Sequence, residues 1–283
     1  METQIIKPRS YVSCLSQGLS YPLVHFTDIL RFTWPAILVS TLLTVAIALY
    51  GVTLMMQSSP ALFVVALVLE LLDILGFSYY LAHVVWQQRR LVELGYIPRV
   101  RPWHVWRELV SPFWRSVLCS LVIDVLFVIS VVAFSVGLIL PPLQLLLWLS
   151  PVPLVLLLFL LPVSQHYLFT GDSLSRSFDH FHVRYMGRLL AIVVLSGLVV
   201  LLIVALGAMP FGIVSYIDAQ STIGLLTGDA AQLPSYFPWL RLLSIFILQF
   251  VALCAFPLML YPQLFHWGAV TAIEQEREGK EQV

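Results

Sequence analysis

Long apolar runs separated by short polar or charged stretches dominate the chain. Six stand out, at about Trp34 to Met55, Ala61 to Trp86, Val117 to Leu140, Gln144 to Tyr167, Leu189 to Ile217 and Leu242 to Phe265. Each reaches the roughly 20 residues that a helix needs to cross a bilayer. The pattern predicts an all-α, polytopic integral membrane protein with six transmembrane helices. The fourth run leaves two starts open. Pro141 and Pro142 precede it and Pro151 and Pro153 interrupt it, so the span begins at Gln144 with a kink or near Pro153 after an interfacial stretch. Pro35, Pro210, Pro257 and Pro262 also sit in or beside spans, which bilayer helices tolerate when neighbours satisfy the freed carbonyls.

A second pattern precedes the odd-numbered spans. After Pro102, a favoured helix-start residue, Trp103, Trp106, Val110, Phe113 and Trp114 fall at helical spacing, while His104, Arg107, Glu108 and Arg115 fall elsewhere. A stripe of this kind lies in the membrane plane, with aromatics toward lipid and charges among headgroups. Before the fifth span, Asp172 or Ser173 can cap a helix carrying Leu174, Phe178, Phe181 and Tyr185 on one face and Arg176, Asp179, His180 and Arg184 away from it. A shorter copy precedes the first span, with Leu23, Phe26 and Leu30 opposing His25, Asp28 and Arg31.

The even-numbered spans rhyme at their ends. Pro162 to Tyr167 (Pro-Val-Ser-Gln-His-Tyr) matches Pro262 to Trp267 (Pro-Gln-Leu-Phe-His-Trp), and His83, three residues before Trp86, takes the analogous place in the first pair. These features predict three repeats of interfacial helix plus transmembrane hairpin. The expected division is a segment 1–33 with an interfacial helix, a six-span domain 34–273 with interfacial helices near 102–114 and 173–187, and a charged tail 274–283.

With its three units and the matching helix ends Pro162 to Tyr167 and Pro262 to Trp267, the chain resembles bacterial six-span families. These are the YciC-like inner-membrane proteins and the membrane domain attached to some glycerophosphoryl diester phosphodiesterases. The resemblance is one of pattern over most of the chain, with no diagnostic motif, and implies a bacterial inner-membrane protein. No soluble phosphodiesterase domain follows the spans, so that activity is not implied.

Composition sharpens the class. The chain of 283 residues is 60% hydrophobic, 11% charged and has a mean hydropathy of +0.93, against about 25% charged residues in a soluble domain. A water-soluble enzyme is excluded. The net charge is zero, which points away from nucleic acid. Cys14, Cys119 and Cys254 show no metal-ligand spacing, and Lys7 and Arg9 are not followed by a signal-peptide core.

Charge sets orientation, because basic residues in short loops stay cytoplasmic. Fourteen of the 15 Lys and Arg residues fall on one side: Lys7, Arg9 and Arg31; Arg89, Arg90, Arg99, Arg101, Arg107 and Arg115; Arg176, Arg184 and Arg188; Arg277 and Lys280. Arg241 alone faces the other way, beside the acidic Asp218 and Asp229. Both termini are expected to be cytoplasmic, in a bacterial inner membrane.

Candidate chemistry is sparse. Glu70, Asp73 and Asp124 are the acidic residues well inside predicted spans, where an ionised side chain costs roughly 2.5 to 3.5 kcal/mol on insertion scales. They are expected to act first as hydrogen-bonding glue between helices, or alternatively to line a proton, ion or substrate path. His83, His166 and His266 read as helix-end anchors with wet tips, rather than as a three-histidine metal site. Phosphate loops, dinucleotide fingerprints and hydrolase elbows are missing. Ser175, Arg176 and His182 match one block of a lipid-phosphatase signature only in part. No catalytic residue, cofactor or metal is expected.

The functional expectation is a non-enzymatic lipid-interacting or membrane-assembly factor. Its contacts to anionic headgroups of the cytoplasmic leaflet would come from Trp103, Trp106, Trp114, Arg99, Arg101, Arg107, Phe178, Phe181 and Arg184. A homo-oligomer or another membrane protein is the other class of partner. The rival expectation is a small transporter or channel lined by Glu70, Asp73 and Asp124.

Overall fold

A computed structural model describes residues 5–55, 60–139, 145–179, 183–227 and 233–281. Among the described residues the secondary structure is helical, without strands. The helices are α1 (Tyr11–Val24), α2 (Phe26–Met55), α3 (Pro60–Leu94), α4 (Trp106–Ile139), α5 (Leu145–Leu149), α6 (Pro151–Thr170), α7 (Leu174–Asp179), α8 (Val183–Gly207), α9 (Met209–Thr227), α10 (Phe237–Ala255) and α11 (Pro257–Glu281). Among the described residues six stretches are long and apolar enough to cross a membrane: Phe26–Tyr50, Val68–Leu94, Trp106–Ile139, Pro151–Thr170, Tyr185–Gly207 and Phe237–Arg277. This matches the six apolar runs, and the chain is an integral membrane protein by that measure.

Proline sets most of the boundaries. The fourth span starts at Pro151, in the first helical turn after Ser150, with the short α5 before it. Of the two starts left open by the sequence, the later one holds, because proline fits a first turn whose N–H has no helical partner anyway. The span ends at Thr170, followed by Gly171 with φ 82°, the left-handed conformation that glycine adopts without a Cβ clash. The fifth run divides into α8 and α9 before Met209 and Pro210, and the sixth into α10 and α11 at Phe256. Pro257 has no N–H to give Leu253 four residues back. The buried Tyr80 hydroxyl donates to that carbonyl instead, at 2.6 Å.

The Trp-rich segment does not stop before the third span. Pro102–His104 forms a single 3-10 turn, and Trp106 begins a helix of 34 residues that runs without a break to Ile139. At 1.5 Å per residue it is about 51 Å long, against about 30 Å of hydrocarbon. It is therefore longer than an upright helix needs to cross that hydrocarbon.

The spans close into a ring. α2 packs on α3, α3 on α4, α4 on α6, α6 on α8 and α11, α8 on α10 and α11, and α10 back on α2. One half of α3 fills the centre: every residue from Tyr80 to Gln88 is buried, whereas Leu71, Leu72 and Leu75 are exposed. The core thus sits at the arginine-rich end, where Ile29, Ile37, Val84, Leu91, Phe169, Ile192, Leu264 and Phe265 meet.

The N-terminal helix belongs to this core. α1, with Ser10 as a cap accepting from the Ser13 N–H at 3.3 Å, buries Cys14, Gly18, Tyr21 and Pro22 against α11. Tyr21 stacks on Tyr261 at 5.4 Å, the Cys14 thiol points at the Phe265 carbonyl at 3.7 Å, and the Arg9 guanidinium lies 5.3 Å from the Phe265 ring centre. Burial pushes the Cys14 thiol up, moves the Tyr21 phenol from 10.0 up to about 12, and lowers Arg9. Phe26 opens α2, so the stretch expected to be a short interfacial copy divides between the end of α1 and the start of the first span.

Candidate functional site

Two places at the arginine-rich end carry polar chemistry. The first is an apolar groove of about 440 Å³ lined by Pro35, Tyr79, Pro102, Trp103, Trp106, Leu109, Val110 and Phe113. Trp103, Trp106 and Trp114 are 57%, 59% and 62% exposed, which for side chains of this size is a strong departure from core behaviour. Arg101 sits 5.7 Å over the Trp103 ring and Arg107 5.6 Å over Trp106. Each guanidinium therefore lies over an indole face as a cation–π contact, at the edge of the groove where an anion can reach it. Arg99 is committed elsewhere, with its Nε donating to Asp28 at 3.1 Å.

Behind the groove, α3 and α4 are joined by a seam of polar pairs. The Trp86 indole N–H and the Arg90 guanidinium both donate to the same Glu108 oxygen, at 2.7 and 2.6 Å, and Ser78 meets Ser120 at 3.4 Å. Further along, Asp73 accepts from the Thr44 hydroxyl at 2.9 Å, and Asp124 lies within electrostatic range of Asp73. Residue numbers that fall on α3 and rise on α4 follow from an antiparallel pair. Of the three intramembrane acids, Asp73 and Asp124 are half-buried and within electrostatic range of each other, whereas Glu70 is exposed on the outside of α3.

The arginines of α3 and α4 also close the end of the fourth span. The last carbonyls of a helix have no partner of their own. Arg115 donates to Tyr167 O at 2.8 Å, to Asp172 O at 2.7 Å and to Gly171 O, while Arg89 donates to Leu168 O at 2.8 and 2.5 Å. A positive charge at a helix C-terminus also complements its dipole.

The second place is a half-open cavity of about 250 Å³ between α6, α8 and α11. Gln165, His166, Thr170, Tyr185, Met186, His266, Trp267, Thr271, Glu274 and Gln275 contribute to its wall. His166 and His266, the rhyming histidines, meet here from different spans. Their neighbours also meet, the Gln165 amide donating to Gln263 Oε1 at 2.5 Å. His83 does not join them. It is fully buried on α3 against Phe32 and Tyr79, with Nδ1 2.8 Å from Tyr79 O. His83 and His266 are buried rather than wet at the tip, and His166 alone reaches the outer turn, beside Ser177 and Thr170 at 3.4 Å.

Among the described residues, several buried polar atoms have no hydrogen-bond partner: His83 Nε2, Gln87 Oε1, both amide atoms of Gln88, Gln263 Nε2 and His266 Nε2. Each such atom costs about 1–3 kcal/mol if it stays unpaired, so their gathering in one half of one bundle marks a polar interior. The described residues include no group of three His, Cys, Asp or Glu placed to hold a metal ion.

Before the fifth span, α7 covers Leu174–Asp179, with Phe178 exposed and Ser177 buried. His180, Phe181 and His182 lie outside the described residues, as do Asp229, Pro141, Pro142 and the side chains of Asp179 and Arg184. Gln87, Gln88, Gln165, Gln263, Tyr185 and Glu274 are the functional candidates that pattern reading passes over. Glutamines inside apolar runs, within three residues of both a Pro and a His, are the signal that points to Gln165 and Gln263. No family model, no curated protein and no solved structure matches this chain.

Proposed function

We propose that the protein is a non-enzymatic lipid-binding factor of a bacterial inner membrane, with both termini cytoplasmic, that holds an anionic lipid in the groove between α2, α3 and the start of α4. The observation that carries this reading is the pairing of an open, tryptophan-lined groove with Arg101 and Arg107 stacked on its two indoles. Acyl chains have the groove and the exposed indole faces to cover. The phosphate has guanidinium groups whose forks match its oxygens. The basic residues at this end give the cytoplasmic orientation, and the Trp106 turns serve as the interfacial part of one of three repeated units.

The test is native mass spectrometry of the full chain released from mild detergent. Retained phosphatidylglycerol or cardiolipin is expected on the wild type. It should fall at least tenfold when Arg101 and Arg107 are changed to Gln, and again when Trp103 and Trp106 are changed to Ala. Retention that is indifferent to all four changes refutes the reading.

A second reading, a small transporter or channel, is favoured by the neighbouring carboxylates of Asp73 and Asp124 in the α3/α4 seam. It predicts proton flux in liposomes that is lost with Asp73→Asn or Asp124→Asn at unchanged expression. The lipid-binding reading predicts no flux.

A further inference from the structure

Beside the tryptophan groove, toward the start of α2, lies a smaller pocket of about 100 Å³ whose wall includes Asp28, Arg31, Phe32, Arg99 and Arg101. The two are neighbours along both of the segments that build them. Phe32 lines the pocket and Pro35, three residues further along α2, lines the groove; Arg101 lines the pocket and Pro102, the next residue, lines the groove. Three residues of helix rise about 4.5 Å. The pocket therefore stands about one helical turn nearer the N-terminal end of the first span than the groove does. A polar pocket one turn outside an apolar groove has the polarity of an amphiphile, head outward and chain inward.

Three guanidinium groups converge on this pocket with one carboxylate among them. Asp28 accepts from Arg99 Nε at 3.1 Å, and that single bond leaves the terminal N–H groups of Arg99 without a partner among the described residues. The side chains of Arg31 and Arg101 make no ion pair or hydrogen bond among the described residues, and Arg101 rests on the Trp103 ring. All three arginines are exposed, whereas the Asp28 side chain is only 26% exposed. The wall thus carries an excess of two positive charges and a set of unused N–H donors. Like charges gathered around so small a space repel one another until an anion enters it.

Building on the lipid-binding reading above, we propose that the occupant of this site is a phosphomonoester lipid, with its terminal phosphate in the pocket among Arg31, Arg99 and Arg101 and its chain in the tryptophan groove. Charge and size both select the monoester. A terminal phosphate carries about −1.5 to −2 at neutral pH, which matches the excess on the wall, whereas a phosphodiester headgroup carries one negative charge and leaves the other guanidinium unmatched. The monoester has three free oxygens for planar guanidinium forks. A diester has two, and its second substituent competes for a pocket of about 100 Å³. The chain belongs in the groove of about 440 Å³ between Pro35, Tyr79 and the indoles of Trp103 and Trp106.

The experiment is native mass spectrometry of the full chain ejected from phosphatidylcholine nanodiscs that contain equal amounts of phosphatidate and phosphatidylglycerol with the same acyl chains. Wild type should retain phosphatidate at least tenfold over phosphatidylglycerol. The double variant Arg31→Gln, Arg99→Gln, which leaves Arg101 and Arg107 in place, should bring that ratio to within about twofold of one. Arg31→Glu, which adds a carboxylate at the pocket, should do the same as a single exposed change and keeps the test open if the double variant does not fold. Glycerol 3-phosphate added as a soluble competitor should displace little phosphatidate, because it has no chain for the groove. Equal retention of the two lipids by wild type, or a preference for phosphatidate that survives both Arg31→Glu and the double variant, overturns the proposal. So does displacement by glycerol 3-phosphate at concentrations matching the lipid, which would assign the pocket to a soluble phosphate. Equal retention that still depends on Arg101 and Arg107 sinks only the monoester selectivity, whereas retention of neither lipid sinks the lipid-binding reading with it.

Discussion

The docking of α1 on α11 turns on Gly18. A Cβ at that position would lie 2.6 Å from the backbone nitrogen of Pro262 and 2.9 Å from its Cβ, and closer still to its Cα. Carbon atoms rest at about 3.5–4.0 Å, so Gly18→Ala requires α1 to back away by roughly 1 Å. The opposing atoms are ring and backbone, which cannot rotate aside. Inserting a methyl group into packed structure usually costs about 1–3 kcal/mol. Here the retreat also loosens the Tyr21–Tyr261 stack at 5.4 Å, and losing a ring pair of this kind adds about 0.5–1.5 kcal/mol. The expected loss is about 3 kcal/mol, on the order of a 100-fold fall in the docking equilibrium.

Cys14 offers the assay. It is 1% exposed in the docked state, and burial raises its thiol above the ordinary range, so both access and thiolate fraction suppress alkylation. In a Cys119→Ser, Cys254→Ser background, Gly18→Ala should raise the maleimide labelling rate of Cys14 by one to two orders of magnitude, through the open fraction. Gly212→Ala serves as the control, since its Cβ would meet nothing within 4 Å. If Gly18→Ala labels and melts like the control, the α1–α11 packing described above is wrong.

Three further outcomes follow from named contacts. Docking of α1 should weaken in alkali, because Cys14 and Tyr21 both have raised values in the folded chain. The undocked helix then loses protons first, and stability, full below the ordinary thiol range, falls as pH climbs through it and from 10 toward about 12. Tyr21→Phe should remove the upper part of that titration, read by Cys14 labelling and tyrosinate absorbance. Arg115→Gln strips the guanidinium from three carbonyls at the end of α6 and should destabilise by about 2–4 kcal/mol, since charged hydrogen bonds contribute about 1.5–3 kcal/mol each and water recovers part at a half-buried site. Arg115→Lys, which lacks the fork, should recover less than half of the melting temperature. Asp73→Asn keeps an acceptor for Thr44 and should change stability by under about 1 kcal/mol, whereas Asp73→Leu should lose the roughly 0.6–1.7 kcal/mol of an interhelical bond; equal unfolding curves for the two variants would count against the glue role.

Much of the fold is legible in the chain itself. Apolar run length yields the six spans because crossing hydrocarbon sets a minimum length and a composition that few soluble helices share. Proline marks Pro151 and Pro257 as places where a helix can break or start, because a missing N–H acts on the residue itself, but the chain left the fourth start open and it is the structure that begins α6 at Pro151 and α11 at Pro257. The one-sided arginines likewise mark an end of the bundle without any tertiary information.

Packing decided the rest. In lipid a helix is apolar on every face, so the periodicity that marks the inner face of a soluble helix is faint. Nothing local therefore separates Glu70, exposed, from Asp73, which the Thr44 hydroxyl holds inside. The same blindness hid α1, whose buried residues are a cysteine, a glycine, a tyrosine and a proline, a set without a hydrophobic signature. It also separated the three rhyming histidines, sending His83 into the α3 core while His166 and His266 share a cavity wall. Length and charge are properties of a segment, and the chain alone determined them. Which faces meet is a property of pairs of segments, and only the closed ring of spans selects it.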